Sequence, residues 1–316
     1  MTARILAFAA RTVVVLFLVS VAVFGATELL PSDAALTRSG GTADAELRAR
    51  LGLDRPAWQR YATWLAGMAR GDAGHSLLTD RPVAQMVAER LPATLTLAGC
   101  ALAVAVPLMF ALAWAAGYAP PHRRGALTTL VTALAAVPQA VFAAGLAAVF
   151  AGVLAWLPPV SLVPAGGSPL ERPQILVLPA LALAVPSAAF GAGLLGGAVA
   201  DIVRRPHVTS AVARGVPRAR VAARHVLPYL IAPAVRVLAV VTGGLLAATT
   251  VVETLFGYSG LGELLVGAIG NRDVPVVQAV AMPAAAVVLA GLLAADVLAA
   301  LTDPRRAPGR AVCEER

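Results

Sequence analysis

The side chains of this chain that could do chemistry are few, and their spacing argues against catalysis. Its four histidines, His75, His122, His207 and His225, stand far apart, with no HxxxH or CxxC partner to complete a metal site. Cys100 lies in an apolar run and Cys313 near the C-terminus, a pattern that builds no disulfide framework. All 25 basic residues are arginine. A chain without lysine has no P-loop lysine for nucleotide phosphates and no amine for Schiff-base chemistry. Energised work by this protein therefore needs a nucleotide bound on another chain. One stretch does concentrate charge: RGVPRARVAARHVLP, residues 214–228, with four arginines, His225, Gly215 and a closing Leu227–Pro228 pair. Its chemistry is that of a surface facing acidic or anionic groups.

The elements that must position this stretch are membrane helices. Of 316 residues, 59% are hydrophobic and 13% charged, and the mean hydropathy is +0.80. Soluble domains carry about 25% charged residues, roughly twice this share. About 20 apolar residues cross the hydrocarbon core, and six segments meet that length. They run from about Ile5 to Ala26 (interrupted by Arg11), from Arg90 towards Arg123, from Arg124 to near Trp156, from Ile175 to Ala200, from Pro228 to Val252 (with Arg236 inside), and from Val277 to Leu301 (with Asp296). Pro158, Pro159 and Pro164 end the third segment. The first is too long for a signal-peptide core and lacks a small-x-small cleavage site, so it reads as an uncleaved helix. The expected fold is an all-α polytopic membrane protein with six transmembrane helices.

Arginine falls on alternate loops. The first loop, from Glu28 to Arg90, is neutral overall, the third has only Glu171 and Arg172, and the fifth carries Glu253, Glu263, Arg272 and Asp273. The second loop has Arg123 and Arg124. The fourth has Arg204, Arg205, Arg214, Arg218, Arg220 and Arg224 against Asp201, and the tail has Arg305, Arg306, Arg310 and Arg316. The positive-inside rule then puts the second and fourth loops and both termini on the cytoplasmic side of a cell membrane. The organisation expected is a first transmembrane helix at 1–30, an extracytoplasmic loop at 31–92, a five-helix core at 93–302 containing the cytoplasmic loop 201–228, and a cytoplasmic tail at 303–316.

On charge alone, the basic loop is a topogenic signal or a binder of anionic membrane lipid, at about 1 kcal/mol per arginine near the surface. A nucleic-acid patch would interleave aromatic stacking residues, and 201–228 has none, so no nucleic-acid partner is expected. Residue order adds a third reading. The loop is similar to the EAA motif of importer-type ABC permeases, E-A-A-x3-G-x9-I-x-L-P. Gly215 stands at the glycine, His225 at the isoleucine, and Leu227 and Pro228 at L-P. Thr209, Ser210 and Ala211 stand at E-A-A, so one of those three positions matches. Arg224–His225 resembles the dipeptide/oligopeptide/nickel branch of these binding-protein-dependent permeases. So do RLGLDRPAWQRYATWL, GDAGHSLLTDRPV and RLPATLTL ahead of it, VVETLFGYSGLGELLVGAIGNRDVPVVQA at 251–279, and the closing DVLAALTDPRR.

The resemblance implies an importer-type permease fold whose cytoplasmic loop forms a coupling helix against an ATPase subunit. It implies as partners a homologous second permease subunit, two cytoplasmic ATPase subunits that bind the ATP, and an extracytoplasmic solute-binding protein. No cofactor is expected in this chain. The cargo implied is short peptides or a related small solute, with nickel a further candidate. The coupling residues would be Ala211, Ala213, Arg214, Gly215, Arg224, His225, Leu227 and Pro228. Ala211 and Ala213 are small enough to lie against another protein, and Gly215 allows a positive φ where a helix must stop. Pro217 and Pro228 suit helix starts. Pro206–His207 departs from the family pattern, and Pro206 shortens or kinks the helix leading into the loop.

Glu253, Phe256, Gly260, Leu261, Gly262, Asn271, Arg272 and Asp273 mark an external re-entrant or surface helix. This helix bears on the solute entrance or a docked binding protein, or packs on its own loop. Gly191, Gly193, Gly196 and Gly197 make the fourth segment small enough for close packing. Pro107, Pro138 and Pro186 are hinges, or kinks whose free carbonyls are satisfied by neighbours. Asp296 is expected to be hydrated or paired near the cytoplasmic surface. An ion-coupled secondary transporter is the alternative function. It would show acids or broken helices at matched depth in two halves, and no such pair stands out. A membrane-embedded enzyme would need clustered nucleophiles or metal ligands, and none is seen.

Overall fold

The computed structural model describes residues 2–29, 55–162 and 169–302. The 303–316 tail, Pro164, and residues 30–54 of the first loop lie outside the described residues. The described chain is helical: α1 (Thr2–Leu29), α2 (Ala57–Ala69), α3 (Val83–Tyr118), α4 (Pro121–Ala136), α5 (Gln139–Ala147, prolonged by a π-turn over Ala148–Val153), α6 (Gln174–Val203), α7 (Pro206–Ala213), α8 (Arg218–Val221), α9 (Leu227–Phe256), α10 (Leu261–Gly270) and α11 (Val274–Thr302). Five of these helices are long and apolar enough to cross a membrane. The third segment read from the sequence is not one straight span. It breaks at Val137–Pro138, and its two halves meet at 93°. Proline forces its predecessor into extended backbone, and Val137 has φ −67° and ψ 125°. Counted as one span, the pair brings the candidate membrane spans to six.

α6 lies at the centre. Of its apolar window 72% is buried, against 6% for α1. Its most extensive contact is with α3, followed by α9 and α4. Alanines at 182, 184, 188, 189 and 192 have no side-chain reach, so neighbouring backbones come close. Of the four glycines expected to do the same, only Gly191 is tightly enclosed, facing Met109 and Val241. Gly193, Gly196 and Gly197 have room for a side chain.

α6 also carries two interior prolines, Pro179 and Pro186. Each removes an N–H and so frees the carbonyl four residues earlier. Both free carbonyls are answered from outside the helix. The Ser161 hydroxyl donates to the Ile175 carbonyl at 2.6 Å, and the Gln139 side-chain amide donates to the Ala182 carbonyl. Pro186 is thus a kink satisfied by a neighbour, and the bend at Pro138 delivers the residue that satisfies it. A Gln139→Leu change should cost about 1–3 kcal/mol, the penalty of an unpaired buried acceptor. The cost should largely vanish in a Pro186→Ala background, where the helix again offers its own N–H. Melting the two single variants and the double variant in one detergent checks this. An equal cost in both backgrounds would show that the amide serves some other partner.

α1 is held on the outside of the bundle by α11. Arg11, the charge inside the first segment, donates to Asp296 at 2.7 Å, so the lone acid of the last helix is paired as expected. This contact joins the start of α1 to the end of α11. Towards the other end of α1, Phe17 and Phe24 pack against Tyr61 and Trp64 of α2, Arg60 pairs with Glu28, and Gln278 donates to Thr27. Aromatic rings gathered beside a span end suit the membrane–water boundary.

Candidate functional site

Two sites matter, at opposite ends of α9. The first is the basic loop. α6 ends at Val203, and Pro206 starts α7 afresh at its N1 position, where no N–H is needed. The expectation that Pro206 would shorten the incoming helix holds. α7 ends in a Schellman motif: Gly215 N–H donates to the Val212 carbonyl at 2.9 Å and Val216 N–H to the Ala211 carbonyl at 3.2 Å. Gly215 sits at φ +77°, the left-handed conformation this closure requires. Pro217 lies one residue before α8, at its N-cap rather than in its first turn. The chain then passes through a π-turn over Ala222–Val226, which contains Arg224 and His225, and enters α9 with Pro228 in the first turn.

The loop has an inner and an outer face. Val208, Ala211, Val221 and Val226 are buried in a core shared with Val199, Ile202 and Leu230. Ala211 is fully enclosed there, so it does not lie against a second protein; its smallness lets α7 pack on its own chain. The outer face is made by Thr209, Ser210, Val212, Ala213, Arg214 and Gly215, then Arg218, Arg220, Arg224 and Leu227. His225 is half-buried, and its Nδ1 has no hydrogen-bond partner among the described residues. His207 packs tilted against Tyr229, ring centres 5.0 Å apart, and the Arg205 guanidinium lies over the same ring. Arg124 closes the neighbouring end of α3 by donating to the Gly117 carbonyl at 2.8 Å.

The second site is the turn from α9 to α11. The Glu253 side chain is completely buried. One carboxylate oxygen accepts the Thr94 hydroxyl at 2.8 Å, and the other accepts Gly262 N–H at 2.6 Å and Glu263 N–H at 3.3 Å. Glu253 therefore caps α10 from a different helix, placing an acidic group at its positive end. Thr94 completes the arrangement by accepting Leu261 N–H at 2.7 Å. Tyr258, also buried, donates to the Ala93 carbonyl at 2.8 Å. Burial pushes its phenol well above the usual range, which keeps that proton on the oxygen. There is no spare space. A Cβ on Gly260 would overlap the Glu253 carboxylate, and one on Gly262 would overlap the backbone of Thr250.

A third acid, Asp273, ties this turn to the first loop. It accepts the Ser76 hydroxyl and, at 3.0 Å, Leu77 N–H, while Ser76 Oγ accepts Leu78 and Thr79 N–H. Phe256, Gly260 and Gly262 are buried and Leu261 half-buried, so these residues build the turn. What it offers to solvent is Asn271, Arg272 and the Arg90–Glu263 pair at 2.8 Å, beside a cleft of about 150 Å³. Sequence reading picked out Tyr258 for packing but missed Thr94, Ser76 and Gln139. The usable signal was a lone polar residue in an apolar run, or a glutamine directly after a mid-span proline.

Comparison with known proteins decides what this architecture is. The family model described as the binding-protein-dependent transport system inner membrane component matches residues 89–308, and the N-terminal model of the same systems matches residues 1–98. The chain belongs to this family of inner-membrane transport permeases. A putative peptide transport system permease protein of Brucella abortus is 32% identical over 313 residues, covering 96% of this chain and 99% of that protein. A glutathione transport system permease protein of Escherichia coli is 31% identical over 300 residues, covering 92% of this chain and 94% of its own length. The permease is thus a multi-pass ABC importer subunit and not an enzyme, which sets aside the secondary-transporter alternative.

Proposed function

We propose that this permease forms half of the translocation path for short peptides, glutathione-like tripeptides included, in an ATP-driven importer. The peptide reading rests on the similarity to peptide and glutathione permeases along nearly the whole chain. The rest of the assembly is a homologous second permease, two cytoplasmic ATPase subunits and an extracytoplasmic solute-binding protein. The basic loop lies in the cytoplasm with both termini, and its outer face docks the ATPase.

The observation that carries the docking is the division of the loop into two faces. Val208, Ala211, Val221 and Val226 anchor it to the membrane core, while Val212, 55% exposed, and the arginines point away. Val212, Ala213 and Leu227 offer apolar contact, and Arg214, Arg218, Arg220 and Arg224 favour an acidic partner, setting register and on-rate. A loop fixed to α6 and α9 on one side and to an ATPase on the other passes closure of the ATPase pair to the bundle as a rigid-body movement. Glu253 and its neighbours hold the outer end of α9 to α10 and the first loop, where the binding protein delivers solute.

Co-expression with candidate ATPase subunits tests the assignment. The permease should carry an ATPase through purification in lipid nanodiscs, and a double Arg218→Glu/Arg220→Glu variant should lose it. Failure of the parent to retain any ATPase would overturn the coupling reading.

A further inference from the structure

A cavity of about 270 Å³, open rather than enclosed, lies between the α4–α5 bend, the middle of α6 and the middle of α9. Its wall includes Val137, Gln139, Ser187, Phe190, Val240 and Gly244. Pro186 and Val240–Ala248 fall well inside their spans, so the cavity is at membrane depth. Three observations set it apart from a packing defect. First, the break at Val137–Pro138 ends one helix and starts another there, and helix ends leave carbonyl and N–H groups without intrahelical partners. At membrane depth such backbone persists only where protein or a water-lined cavity receives it. Second, the wall carries polar groups with capacity to spare. Gln139 uses its amide N–H on Ala182 but keeps its carbonyl oxygen as an acceptor, and the Ser187 hydroxyl is both donor and acceptor. Third, no wall residue is charged, and Gly244 has open space where a Cβ would stand.

We infer that this cavity is a solute contact of the path, in which Gln139 and Ser187 hydrogen-bond the main-chain amides of a short peptide. The inference rests on the proposed importer function and deepens it. An amide needs a donor and an acceptor, and both are present. A transition-metal cation such as nickel favours imidazole or thiolate ligands, and this wall supplies none, which favours peptide over nickel as the class of cargo. The uncharged, apolar residues around the two polar ones, Phe190 and Leu245 among them, set no charge requirement, so peptides of different sequence pass the same contact.

The test uses thiol accessibility in the full chain, reconstituted in proteoliposomes with Cys100 and Cys313 replaced by alanine. Gly244→Cys and Ser187→Cys should react with a charged, membrane-impermeant methanethiosulfonate about tenfold faster than Val13→Cys on exposed α1, because a thiol held in apolar surroundings is inert. Millimolar tri-alanine should slow both reactions, and nickel chloride should not. Reaction no faster than Val13→Cys, no protection by tri-alanine, or equal protection by nickel would each overturn the inference. Labelling does not depend on ATPase binding, so the two failures are separable. A permease that retains its ATPase but has an unreactive cavity loses only this inference, and a protected cavity in a chain that binds no ATPase loses only the coupling.

Discussion

Replacing Glu253 with alanine is expected to cost the permease about 3 kcal/mol or more and to free the α9–α11 turn. The carboxylate receives the Thr94 hydroxyl and two N–H groups of the first turn of α10. Each buried donor left without a partner costs about 1–3 kcal/mol, and Glu253, at 0% exposure, holds these donors away from bulk solvent. Glu253→Gln should fall between parent and alanine. Its amide oxygen can still accept one N–H, but its NH2 group puts donors where only an acceptor fits. Two glycines provide a control that leaves the acid in place. Gly262→Ala drives a methyl group into the Thr250 backbone, which has nowhere to go, and should destabilise severely. Gly267→Ala, later in the same helix and facing open space, should be neutral or gain up to about 1 kcal/mol from helix propensity. Thermal melts of the four variants, with limited proteolysis between α9 and α11, read out the order. A Glu253→Ala protein that melts with the parent would show that the cap contributes nothing.

This region shows what sequence does and does not disclose. Five of the spans, the all-α class and the turn before α10 follow from apolar run length, charge gaps and glycine placement, because these act locally. Glu253 also stood out, as an acid at the end of an apolar run, but its partner Thr94 lies 159 positions away in the chain, and nothing local joins the two. The sharpness of the bend in the third segment was hidden for a related reason. Its apolar run is continuous across Pro138, and hydropathy does not register direction, so a 93° bend reads as a long helix. The bend has its physical counterpart in Pro186 on another helix, whose orphaned carbonyl the bend supplies with Gln139. Ala211 carries the same lesson on a smaller scale. A small residue in a loop is compatible with a partner's surface or with its own core, and only the position of Val221 and Val226 shows which.

Gly215→Val should leave the permease inserted and folded while lowering uptake by the complete importer about tenfold or more. At φ +77°, an L-residue costs about 1–2 kcal/mol, and a β-branched one is a genuine outlier there. Nothing lies within 4 Å of the added Cβ, so the strain is conformational and is relieved by turning the chain, not by moving the core. The relief breaks the closure in which Gly215 and Val216 bond back to α7. The outer strip of Val212–Arg214 then shifts relative to Arg218 and Arg220, while Val208 and Val221 hold the loop to the bundle. A docking error of 1.4 kcal/mol is already a factor of ten in affinity. Gly215→Asn is the discriminating companion, since asparagine enters the left-handed region readily and should keep most of the uptake. Uptake and ATPase retention are measured on the same nanodisc preparations. Valine and asparagine variants with equal transport would remove the turn from the coupling path. A valine variant that keeps its ATPase yet stops transporting would put the defect in the transmission of movement, beyond the docking contact itself.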